Sequence, residues 1–159
     1  MRIGPVRDVS FARKVQPMFG RFWRSNDGGA GSPEAGLAPS EPAIAADALD
    51  RLRELAGDDC GAFLIDLFEE FFTTSRDIID EMAANTRDAD LGQLRKSSHT
   101  LKGAALNLGA NVLAGLCKEG EGAAREQRSP DAAWIPRIEA EFARARVEFE
   151  TVIKPHLQA

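Results

Sequence analysis

The chain has no tyrosine, and only two histidines, two cysteines and two tryptophans in 159 residues. Each shortage excludes something. Cys60 and Cys117 stand alone, without the close spacing of a zinc or redox motif, and read as small core residues of a protein kept in a reducing compartment. Two histidines, His99 and His156, are too few for the multi-helix His/Glu ligand set of a helical metalloenzyme, so no metal site is expected. No stretch approaches the roughly 20 apolar residues that cross a bilayer. Arg13 and Lys14 interrupt the only apolar run near the N-terminus, which argues against a secretory leader and for a cytoplasmic location. Alternating strand-type patterns are also missing, and what remains is helical.

Charge is unevenly placed. Residues 1–25 carry six basic side chains against Asp8 alone, whereas the chain from Pro42 onward has 14 basic and 21 acidic residues. An acidic body is a poor binder of nucleic acid, whose affinity rests on neutralised phosphates. Between these regions, Ser25–Pro42 is dominated by Gly, Pro, Ser and Ala, a composition that cannot offset its ordering entropy and reads as a linker. The expected organisation is therefore a basic amphipathic arm (a helix over about 9–24) plus linker at 1–41, and one folded domain at 42–159.

Within that domain the spacing of apolar residues predicts a short helix over 44–56, with Leu49, Leu52 and Leu55 inward, and a long one over about 59–84. Asp90, with Gln93 three residues later, predicts a capped start for a third helix. Its seam is Leu91, Leu94, Ser98, Leu101, Ala105 and Leu108. Gly109 suits a left-handed stop, and Asn111 a cap for a fourth helix that runs to about Glu126. A last helix carries Ile135, Ile138, Phe142, Val147, Phe149 and Val152, with Pro136 near its start and Pro155 near its end. Four helices on short connections predict an all-α fold: an antiparallel up-down four-helix bundle with a short extra N-terminal helix.

The densest chemistry lies in the third helix, at Ser98-His99-Thr100-Leu101-Lys102-Gly103-Ala104-Ala105-Leu106-Asn107-Leu108-Gly109-Ala110. Residues three and four apart are neighbours on a helix, so Lys102 and Gly103 flank His99. His99 sits about 100° from the seam residue Ser98, at the edge of the buried stripe. An imidazole there can act as a nucleophile, an ammonium can balance phosphate charge, and a missing side chain admits a partner. A lone helical histidine is more often an ordinary surface or core residue, and Gly103 alone would merely weaken the helix by about 1 kcal/mol. Together with Leu108-Gly109-Ala110 they read differently. His156, beside Pro155, has no such company.

This run resembles the signature of histidine-containing phosphotransfer (HPt) domains, matching H-x-L-K-G-A-A-x-x-L-G-A without a gap. The resemblance covers about residues 44–157 and implies the same bundle. It also implies a phosphocarrier that accepts a phosphoryl group from a response-regulator receiver aspartate onto His99 and passes it to another receiver in a phosphorelay. Lys102 would stabilise the phosphate and Gly103 would give steric access. Arg95 and Lys96 would extend a positive rim around a receiver-binding surface that includes Ala104 and Leu106. Arg125 matches a position where some members hold a basic residue facing the site. The implied partners are receiver domains and a hybrid sensor kinase, with the protein a monomer. No cofactor is expected, and any Mg²⁺ would sit on the receiver. One departure is Gly120, where relatives usually hold a bulky apolar residue, so the fourth helix is expected to be looser or bent.

Such a protein is a phosphohistidine intermediate, not an enzyme with its own ATP site, and no G-x-x-x-x-G-K-[ST] loop is present. The alternative is a helical adaptor that binds receivers without carrying phosphate; loss of the histidine would be its mark, and His99 is present. A dimeric phosphotransferase with a degenerate ATP-binding domain would need more chain after the bundle than there is.

Overall fold

The computed structural model describes residues 41–57 and 60–159. The basic arm, and the linker up to residue 40, lie outside them. The elements are α1 (Ala46–Ala56), α2 (Cys60–Arg87), α3 (Leu91–Asn107), α4 (Asn111–Arg125), α5 (Trp134–Glu148), a π-helical turn (Phe149–Ile153) and α6 (Lys154–Gln158), with no strand among the described residues. Helices α2, α3, α4 and α5 pack in sequence and α5 returns to α2, closing the antiparallel bundle. Helix α1 lies against α2.

The α2–α5 side of the core is aromatic. Phe68 stacks on Phe149 at 4.8 Å between centroids, and Phe72 meets the edge of Phe142 at 5.6 Å. Such offset and edge-on pairs add to the stabilisation from buried area alone. Helix α3 begins as its sequence predicts, with the Asp90 carboxylate accepting the Gln93 backbone N–H at 3.1 Å. It ends at Gly109, whose φ of +79° suits a residue without a Cβ. The Ala110 N–H closes this turn on the Ala105 carbonyl at 2.8 Å, the long bond of a Schellman stop. Helix α4 then starts at Asn111 itself, so Asn111 is not the cap. That place belongs to buried Ala110, which offers no side-chain bond.

The strand of chain before α1 is stitched to this end of the bundle. Glu148 accepts the N–H groups of Ala43 at 2.8 Å and Ile44 at 3.1 Å, and the Ala45 N–H bonds the Gly109 carbonyl at 2.9 Å. A Cβ on Gly109 would overlap that of Ala48, so the glycine serves both the turn and the contact with α1.

Several expected inward positions lie elsewhere. Leu55, Val147 and Val152 are exposed, and Cys60 is only half-buried. Trp134, Ala145 and Ile153 fill the α5 side instead. The π turn accounts for the end of this shift. The Lys154 N–H reaches back five residues to the Phe149 carbonyl, which rotates Ile153 inward in place of Val152. Pro155, which lacks an N–H and crowds the carbonyl four residues earlier, follows at once.

Helix α4 runs unbroken through Gly120, which is closely packed. A Cβ there would run into the Trp134 ring, whose indole N–H donates to the Leu116 carbonyl at 2.8 Å. The bulky group expected on α4 is supplied by α5. Gly120→Ala should therefore lower the melting temperature although alanine favours helix, because overpacking of this kind costs about 1–3 kcal/mol. A thermal unfolding curve at or above wild type would show that the ring can move aside.

Candidate functional site

His99 and Lys102 project from α3 toward α4, where a carboxylate unremarked in the sequence joins them. Glu121 is 7% exposed and both of its oxygens are engaged. Oε1 lies 3.2 Å from His99 Nδ1 and 3.2 Å from Arg125 Nη2, and Oε2 accepts Lys102 Nζ at 2.6 Å. The His99 ring itself is 57% exposed.

Burial pushes the Glu121 carboxyl up. The hydrogen bond and charge of Lys102, joined by those of His99, outweigh it and hold the group below the ordinary carboxylate value. Glu121 is thus ionised near neutral pH and can only accept hydrogen bonds. At 3.2 Å from this carboxylate, Nδ1 of His99 is the donor, and Nε2 is the ring nitrogen turned away from Glu121. Cys117, on the same helix, is not a rival nucleophile. Burial, opposed by Lys102 and reinforced by Glu121, pushes its thiol up to about 12, so the thiolate is scarce.

The structure therefore brings His99, Lys102 and Arg125 together, through Glu121. Arg95 and Lys96 are exposed and make no ion pair with a described residue. Leu106 is exposed, Ala104 is half-buried, and Gly103 is a buried position one turn beyond His99. A signal for Glu121 exists in the sequence. It stands four residues after Cys117, in line with the buried stripe of α4, where a charge demands partners. Among the described residues no group of three or more His, Cys, Asp or Glu side chains could hold a metal ion, and no helix is long and apolar enough to cross a membrane.

An exposed imidazole on a four-helix bundle, oriented by a buried carboxylate and flanked by cations, defines a helical domain built for histidine chemistry. Residues 66–148 match the family model described as Hpt domain, and the chain belongs to this family of histidine phosphotransfer domains. Its fold is similar to the crystal structure of histidine-containing phosphotransfer protein B (HptB) from Pseudomonas aeruginosa PAO1. That similarity has a TM-score of 0.60 and 33% sequence identity, and covers 70% of this chain and 94% of that one. No curated protein matches the sequence. Membership makes the protein a phosphorelay phosphocarrier rather than a kinase, of a family that works with receiver and kinase domains.

Proposed function

We propose that Nε2 of His99 takes a phosphoryl group from the aspartyl phosphate of a response-regulator receiver and hands it to the aspartate of another. The carrying observation is the Glu121 bond to Nδ1 of an exposed ring, which leaves Nε2 as the nitrogen available to a partner. In the forward step the N–P bond forms as the acyl-phosphate P–O bond breaks, and the aspartate leaves as a carboxylate. The ring keeps its Nδ1 proton and becomes cationic, with its charge balanced by Glu121, so no general base is needed. Lys102 neutralises the phosphoryl oxygens, Gly103 gives the receiver steric access, and Arg125 adds a second cation at the edge. Transfer to the second receiver reverses the same bonds.

The test is incubation of the full chain with phosphorylated receiver domains, following the label. It should appear on this protein, be lost in acid and survive alkali. No label from any receiver, or an acid-stable one, would refute the proposal.

The cations divide into two roles. Arg95 and Lys96 are exposed and, unlike Lys102, are not bonded to Glu121, so they act by steering an acidic partner, and Arg95→Glu with Lys96→Glu should slow association and flatten its salt dependence. Lys102→Ala should instead depress transfer at saturating receiver, since it removes charge from the phosphoryl group itself. Stopped-flow association rates measured beside single-turnover transfer separate the two; equal effects on association alone would overturn the division.

A further inference from the structure

A single buried carboxylate serves both the imidazole and two cations at this site. Glu121 accepts Lys102 Nζ on Oε2 at 2.6 Å, while Oε1 is shared between His99 Nδ1 and Arg125 Nη2, each at 3.2 Å. A phosphoryl group on Nε2 changes this competition, because its anionic oxygens attract the same ammonium and guanidinium. Lys102 stands one helical turn from His99 and Arg125 is exposed, so both can turn toward the new charge. Glu121 is buried on α4 and cannot follow them. With its cations drawn off, its remaining partner is the ring, and a buried carboxylate demands a donor. The ring of a phosphorylated His99 supplies one only while Nδ1 keeps its proton.

That proton decides how readily the phosphoryl group leaves. When a receiver carboxylate attacks phosphorus, the P–N bond breaks and its electron pair returns to Nε2. A ring with Nδ1–H departs as neutral imidazole. Without that proton it must depart as an imidazolate anion, a far poorer leaving group. Attack by water breaks the same bond, releasing inorganic phosphate and passing the water's proton to solvent.

We infer that Glu121 is a positioning residue for the outgoing half of the relay, holding the Nδ1 proton on the phosphorylated ring and so keeping the phosphoryl group ready to leave. The inference rests on the reading of Nε2 of His99 as the phosphoryl acceptor. The other charges on the two helices here are Arg95, Lys96 and Lys102 of α3 and Lys118 and Arg125 of α4, all cations that favour loss of the ring proton. Cys117 is a buried neutral thiol, and α2, the other helix packed on α3, buries no titratable side chain. Among the described residues, Glu121 is the carboxylate within hydrogen-bond reach of the ring.

The test labels the full-length wild type, Glu121→Gln and Lys102→Ala with phosphoramidate, a small donor that phosphorylates imidazoles without docking. The donor is removed and decay of the label at His99 is followed from about pH 4 to about pH 9, across the range where an imidazole titrates. Labelled wild type unfolded in urea supplies the ordinary phosphohistidine. In acid every ring is protonated and the rates should converge. As pH rises, label on the unfolded chain and on Glu121→Gln should become long-lived first. The folded wild type should stay labile to a pH about one unit higher, decaying about tenfold faster in mild alkali. Lys102→Ala, which frees Glu121 for the ring, should keep that alkaline lability, whereas general damage to the site would remove it from both variants. A thermal melt confirms that each variant is folded, and the contrast between folded and unfolded wild type decides the matter should Glu121→Gln not fold. Folded wild type decaying with the unfolded chain's pH profile, or folded Glu121→Gln decaying with the wild type's, would overturn this role of Glu121 alone. Label mapped to Nδ1 or to another residue would overturn both the role and the reading beneath it.

Discussion

His99→Gln should abolish phosphoryl acceptance, with no label detectable above background, while His156→Gln accepts at the wild-type rate. The amide has no ring nitrogen to form the N–P bond, and no other nucleophile at the site can replace it. Cys117 is buried and its thiol is pushed up to about 12. His156, exposed near the C-terminus with its Nδ1 3.0 Å from the Val152 carbonyl, has neither a carboxylate behind it nor a lysine beside it. The substitution changes an exposed side chain and should leave thermal unfolding close to wild type, which distinguishes lost chemistry from lost fold. Acid-labile label persisting on His99→Gln would remove the assignment.

The second large effect should come from Glu121→Gln. Removing the partner that orients an imidazole typically costs about 10–100-fold in metal sites, and a loss of that order is expected here in single-turnover transfer. The neutral amide no longer dictates which ring nitrogen carries the proton, and Lys102 loses its carboxylate. The variant should also respond differently to pH. Because the Glu121 carboxyl is held below its ordinary value in the fold, the folded state binds fewer protons than the unfolded one in the acid range. The stability it contributes is present above the unfolded value of about 4.3 and is lost as pH falls through the lower, folded value. The melting-temperature gap between wild type and Glu121→Gln should therefore narrow in acid below about pH 4.3, with no change near neutrality. A gap constant down to pH 2, or transfer undiminished in the variant, would show that Glu121 is a bystander.

What was legible in the sequence and what was not follow a physical line. Helix α3 could be read closely, because its start, seam and stop depend on local bonds: Asp90 to Gln93, Ala105 to Ala110, and the left-handed Gly109. His99, Lys102 and Gly103 share one helix and need no tertiary knowledge to be grouped. Glu121 belongs to the neighbouring helix, and its role arises only when α3 and α4 close on each other. Glycines on either side obscured the phase that would have revealed a charge on a buried stripe. Arg125 was placed by resemblance, and its position in space follows from Glu121, four residues earlier. On α5 the even 3.6-residue period put Val147 and Val152 inward. Val147 lies off the stripe that Ile138, Phe142, Ala145 and Phe149 follow; Val152 is displaced by the π turn, beside which Pro155 brings a missing N–H and added bulk. Trp134 opens the helix, where no period is yet established to mark it as inward.

The lodging of Trp134 against Gly120 also gives the protein an optical handle. Its indole is almost wholly removed from solvent and sits behind the helix that carries Glu121 and Arg125. The chain has one other tryptophan, Trp23, and no tyrosine. A Trp23→Phe variant would therefore hold a single indole emitter in a defined apolar setting. Its emission colour would follow the seating of α4 on α5 without an added dye, in real time, as a partner binds.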